Sequence, residues 1–318
     1  MKTKLNTFRQ NSKSLIGTYS LIIVIVVLCL LLSIMTHNFF KVTNLLNVLR
    51  QVSINGILAI GMTFVVLTSG IDLSVGSIVA FCGIVAATLL RDFQYSIPVV
   101  ILISLLVGCL MGLYNGYFVA YWKAAPFVVT LSMMTIARGM TFVFSNGRPI
   151  SPLPEDYLII GKGDVLGLPI PTLCLLIVFL ISFALLKYFR IGRYIYAVGG
   201  NENAALVSGI NVRFIKLTTY VISGILCGLA AIILTARVSA GLPQAGEGYE
   251  LDAIAATVIG GTSLSGGRGK LWGTILGALL LGIVSNGLDL LNVSSFYQQI
   301  VKGLIILGAI LIDSKRSK

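Results

Sequence analysis

The chain has 318 residues, of which 57% are hydrophobic and 11% charged, where soluble domains carry roughly a quarter charged residues. That balance excludes a pair of soluble domains and points to one integral membrane domain spanning 1–318. The formal charge of +12 comes from basic loops and needs no nucleic-acid partner. His37 is the only histidine, which excludes a histidine-based metal cluster or a Ser-His-Asp triad.

Lipid cannot satisfy backbone polar groups, so continuous apolar runs of ~20 residues are read as spanning helices and the fold as all-α. Lys2, Lys4, Arg9 and Lys13 precede the first run, Leu15 to Met35. It exceeds the roughly 7–15 residues of a signal-peptide core and ends in a poor cleavage site, Ser33-Ile34-Met35-Thr36, so it is a retained helix behind a cytoplasmic tail, 1–14. Further helices are expected near 45–68, 73–90, 97–121, 126–145, 171–189, 216–237, 251–264, 271–291 and 296–312, about ten in all. Gly, Ser and Asp interrupt the second run at Thr68-Ser69-Gly70-Ile71-Asp72 and shorten the 251–264 run, so these are expected to be broken or re-entrant.

With the N-terminus in the cytoplasm, fifteen of the 23 Lys and Arg fall on the inner side, among them Lys123, Arg190, Arg193, Arg213, Lys216 and the tail 313–318. Only Lys41, Arg50, Arg91, Arg148, Lys162 and Arg237 fall outside, while Arg138 and Lys302 lie within helices. Both termini are then cytoplasmic, with a polar outer loop at 145–170 and a basic inner loop at 190–216. The inner loop holds a short helix, Asn203 to Ser208, closed by Gly209.

Asp72 stands between two apolar helices, where an unsatisfied carboxylate costs several kcal/mol. It either caps the helix beginning at Leu73 or borders a translocation path, together with Asn55, Gly70 and Ser74. Val258 to Lys270 echoes Val66 to Gly76 as an apolar run broken by Gly, Ser and Thr, which suggests an internal repeat. It is not a phosphate loop: Leu264 and Leu271 stand where GxxxxGK[ST] needs Gly and Ser or Thr. Gly108, Gly112 and Gly116, Gly224 with Gly228, and Gly273 with Gly277 are one turn apart and mark close helix packing. Cys29, Cys82, Cys109, Cys174 and Cys227 lie inside apolar runs without CxxC spacing and read as packing residues.

Gly70-Ile71-Asp72-Leu73-Ser74-Val75-Gly76-Ser77, Gly192 to Glu202, Ser208-Gly209-Ile210-Asn211-Val212 and Gly248 to Ala256 together resemble the sugar-transporting permeases of bacterial ABC importers, ribose permeases nearest. The likeness runs from Asn38-Phe39-Phe40 to the basic tail. It implies a homodimer in the bacterial inner membrane, a cytoplasmic ABC ATPase that uses ATP and Mg, and a periplasmic or lipid-anchored sugar-binding protein. This chain itself would be no enzyme and bind no cofactor.

The ATPase-coupling segment of such permeases matches Gly200, Asn201, Glu202, Ala204, Ala205 and Gly209, with Asn203 departing from the usual alanine. Arg91, Arg148, Lys162 and Arg237 are then expected to dock the binding protein. D-ribose is the expected cargo, with other pentoses, hexoses or a ribose-like signalling sugar as alternatives. An ion-coupled secondary transporter using Asp72 is the rival from another class. A membrane enzyme would need clustered intramembrane acids, His or Cys, which the sequence does not show.

Overall fold

Apolar runs studded with small residues dictate long helices able to touch backbone to backbone. In the computed structural model, which describes residues 21–317, these are α1 (Leu21–Met35), α2 (Val42–Leu67), α3 (Val75–Arg91), α4 (Ile97–Tyr121), α5 (Pro126–Ser145), α7 (Ile170–Tyr188), α10 (Val212–Val238), α11 (Tyr249–Ile259), α12 (Leu271–Leu290) and α13 (Ser295–Ser317). Each matches one of the expected runs. Three shorter helices lie in the polar connections: α6 (Glu155–Lys162), α8 (Arg190–Gly200) and α9 (Glu202–Val207). Strands β1 (Asp164–Val165) and β2 (Leu168–Pro169) pair antiparallel around Leu166 and Gly167, both at positive φ.

Among the described residues, α2, α4, α5, α7, α10 and α12 are long and apolar enough to cross a membrane individually. With 11 residues, about 16 Å, α11 cannot, so the run at 251–264 is a half-helix. The last helix, α13, runs on to Ser317, past its expected end at 312. The expected tail 1–14 and the start of the first run lie outside the described residues.

α2 and α10 form the centre. They run antiparallel, Gly61 lying against Ser223 and Leu226, and Thr68 reaching Thr219 at 3.4 Å. α4 packs on α10 through the small residues: a Cβ on Gly108 would collide with the Gly224 carbonyl, and one on Gly112 with the Tyr220 carbonyl. The opposite side of α4 presents Leu102, Leu106 and Leu110 outward at one-turn spacing, as a lipid-facing helix should.

After Leu67 the chain turns back through Thr68–Ser74 into the interior before α3 begins, and after Val238 it does the same through 239–248 before α11 begins. Both turns start with a serine in the left-handed region, Ser69 at φ 60° and Ser239 at φ 60°. The surrounding packing repeats with inverted direction: α10 packs on α3 and α4, and α2 packs on α11 and α12, while α5 covers α3 and α13 covers α11. The internal repeat is thus α2–α5 against α10–α13. This corrects the expected pairing of Val66 to Gly76 with Val258 to Lys270, because the partner of the first break is the loop after α10. The Gly-rich stretch at 260–270 instead joins α11 to α12 at the end of the molecule where α2 stops.

Candidate functional site

The inner loop is built from two short helices at one end of the bundle. In α9 the Asn201 side chain accepts the Ala204 N–H at 2.9 Å, and Gly209 at φ +80° ends the segment where an L side chain would be strained. Ala205 is buried beneath it, and Glu202 pairs with Lys216 at 2.6 Å on the surface. Leu206 and Val207 point outward at 62% and 90% exposure, an apolar pair left uncovered among the described residues. Sequence reading placed this segment but missed that pair, since exposure depends on which side of α9 meets the bundle.

α8 ties this loop to the first break. The approach is so close that a Cβ on Gly199 would overlap the Leu67 carbonyl; Gly267 N–H donates to that carbonyl at 3.0 Å, and Ser69 Oγ donates to Ser265 at 2.7 Å. Tyr196 donates to the Gly269 carbonyl at 2.9 Å. Displacement of α8 therefore presses directly on the end of α2 and on the 260–270 turn.

Asp72 is fully buried within that break. Its Oδ1 accepts the Ser74 N–H at 3.0 Å and the Ser74 hydroxyl at 2.6 Å, and its Oδ2 accepts from Ser223 at 3.1 Å. Asn115 donates to Ser74 at 2.8 Å, leaving its own Oδ1 buried without a partner. The helix begins at Val75, so Asp72 holds the residue before the helix and not the first-turn amides of a helix starting at Leu73. No ion pair reaches it among the described residues. Gly70 packs under Tyr220 and Val65, and Ser74 is buried. Asn55 is not brought to this cluster; it sits partly exposed in α2, roughly 9 Å up the axis from Gly61.

A second polar cluster gathers where the starts of α3 and α11 meet. Gly76 of α3 lies against the Gly246 carbonyl, and the Glu250 Oε2 stands over it. Arg138 Nη1 donates to the carbonyls of Pro243 at 2.7 Å and Ala245 at 3.0 Å, and Lys302 pairs with buried Asp252 at 2.8 Å. Acids therefore do cluster here, within residues 247–252, and the cations that face them come from distant elements, Arg138 of α5 and Lys302 of α13. Glu247, Glu250 and Asp252 could have been flagged by their spacing next to a short apolar run.

At the opposite end from α8 and α9, the 145–170 segment is pinned to the second break by an Ile150–Gly241 bridge and by Lys162 Nζ donating to Ser239 at 2.5 Å. Arg148 is exposed, Arg91 pairs with Asp92 at 2.6 Å, and Arg237 is partly buried against Gly161. Arg50 reaches Asp164 at 2.9 Å.

Comparison with known proteins adds a match of residues 44–310 to the family described as the branched-chain amino acid transport system permease component. The chain belongs to that permease family. The permease is 48% identical over 296 residues to the ribose import permease protein RbsC of Haemophilus influenzae, covering 92% of this chain and 91% of the other. It is 47% identical to the ribose import permease protein RbsC of Bacillus subtilis, with 92% and 91% covered. It is also 37% identical to the D-allose transport system permease protein AlsC of Escherichia coli, with 95% and 92% covered. No solved structure matches it significantly. Family membership and apolar helices together make the permease a multi-pass membrane protein.

Proposed function

We propose that this permease is the membrane-spanning part of an ATP-driven ABC importer for a small sugar, D-ribose first among candidates. The observation that carries the reading is near-half identity to ribose import permeases over nine-tenths of both chains. The lower identity to the allose permease makes other sugars the second choice of cargo. In this reading two copies pair in the bacterial inner membrane with both termini in the cytoplasm. A cytoplasmic ABC ATPase supplies the ATP and Mg chemistry, and a periplasmic or lipid-anchored protein delivers the sugar.

The α8–α9 end receives the ATPase. Support comes from the exposed Leu206–Val207 pair on a segment capped at both ends, and from the direct contact of α8 with the end of α2, which gives movement at α9 a route to the first break. The opposite end, with Arg148 exposed beside the hairpin, faces the binding protein. The test is reconstitution of the permease into liposomes with its ATPase and binding protein. Labelled ribose should enter only when both partners and ATP are present. Entry driven by an ion gradient through this chain alone would refute the importer reading and favour a secondary transporter.

A further inference from the structure

Polar side chains exposed at bilayer depth cannot rest against lipid tails; they meet water or other protein. The loop 239–248 carries such groups. Its inner end is fixed in depth by Gly246 against Gly76, seven residues along α3 from Gly83, which lies beside Thr235. That places it roughly 15 Å in from the Val238 end of α10, a helix of 27 residues. Gln244 and Glu247 are nonetheless exposed there.

The neighbouring surface of α5 is mixed: Val128, Leu131 and Val143 are exposed beside small polar residues, and the Ser132 and Thr135 hydroxyls donate to the carbonyls of Val128 and Leu131. α5 shows Ser132, Thr135 and Gly139 outward on one side, with open space over Gly139, whereas α4 shows Leu102, Leu106 and Leu110. Arg138 joins the two parts, holding the Pro243 and Ala245 carbonyls. Asp252 is neutralised by Lys302, which leaves Glu247 and Glu250 facing a single guanidinium.

We propose that Ser132, Thr135 and Gly139 of α5, together with Gln244 and Glu247 at the second break and Glu250 of α11, line a water-filled passage, and that Gln244 and Glu247 take the hydroxyls of a neutral polyol crossing it. A carboxylate accepts from neighbouring hydroxyls in short charge-assisted bonds, and the amide both donates and accepts. The small residues of α5 leave room for the ring. Excess acid repels phosphorylated sugars, so the passage selects the uncharged form. Arg138 is a positioning residue that holds the loop in place. The assignment of a sugar to the passage rests on the import reading above.

The experiment places single cysteines in a permease whose five native cysteines are changed to alanine, reconstituted with its ATPase and binding protein, and treats them with the cationic reagent 2-(trimethylammonium)ethyl methanethiosulfonate. Glu247→Cys should react at least about tenfold faster than Leu106→Cys, because only a hydrated thiol ionises readily. Its adduct should abolish ribose uptake while ATP hydrolysis continues, and treatment of Leu106→Cys or of the cysteine-free chain should leave uptake unchanged. If Glu247→Cys imports nothing before treatment, Thr135→Cys carries the same comparison. Reaction at Glu247→Cys and Thr135→Cys no faster than at Leu106→Cys means a dry contact, such as a second copy sealed over this face, and overturns the passage. A reacted variant that still imports overturns the polyol contact. Failure of the import reading shows separately, as absence of ribose uptake by the unmodified chain with all its partners.

Discussion

Substituting Gly224→Ala tests the α4–α10 seam against a control at Gly303. A Cβ on Gly224 would stand 2.9 Å from the Gly112 Cα and closer still to the Gly108 carbonyl, so the two backbones must part. A Cβ on Gly303 of α13 meets nothing within 4 Å. Both changes gain the same helix preference of up to about 1 kcal/mol for Ala over Gly. Their difference therefore isolates the backbone approach. Overpacking costs typically about 1–3 kcal/mol, and a radial gap of roughly 0.5–1 Å along the seam forfeits a quarter or more of each dispersion contact. Gly224→Ala should fall below Gly303→Ala by about 2–3 kcal/mol in an SDS titration in mixed micelles. Equal midpoints would refute the claim that these glycines set the helix spacing.

Asp72→Asn keeps acceptors for Ser74 and removes a charge that lacks a cationic partner, so its stability should equal or exceed that of the parent. Asp72→Leu orphans the Ser74 N–H and should lie about 1–3 kcal/mol lower, read by the same titration. A stable Asn variant without uptake would mean that the charge itself serves transport. Lys302→Met leaves Asp252 buried and unpaired, costing about 3 kcal/mol, and adding Asp252→Asn should restore most of it. No recovery in the double variant would show that the pair is not coupled. Val207→Glu removes an exposed apolar anchor worth about 2 kcal/mol to a docked partner and should lower ATPase affinity roughly thirtyfold in a pull-down titration. Glu202→Lys combined with Gly209→Pro breaks the Lys216 pair and forces proline onto a φ of +80°, and should insert normally yet uncouple ATP hydrolysis from uptake. Unimpaired uptake by that variant would sink the coupling role of α9.

Hydropathy alone determined the helical runs, because a bilayer permits few alternatives to a helix of given length. The GxxxG rows likewise announced their own close contacts, since only a missing Cβ allows such an approach. The short helix before Gly209 was legible for the same local reason, a residue that tolerates positive φ. What lay beyond the sequence was every relation between distant segments. A ten-residue loop after α10 reads like any outer connection, and only packing against Gly76 shows that it re-enters the interior. The symmetry of α2–α5 with α10–α13 is carried by helix direction and contact. Asp72 appeared as the notable charge because it stands alone in its segment, yet it is satisfied by Ser74 and Ser223 inside the core. Arg138, Glu247 and Glu250 come together from α5, the second break and α11, and an exposed carboxylate at that depth has meaning only once the depth is known.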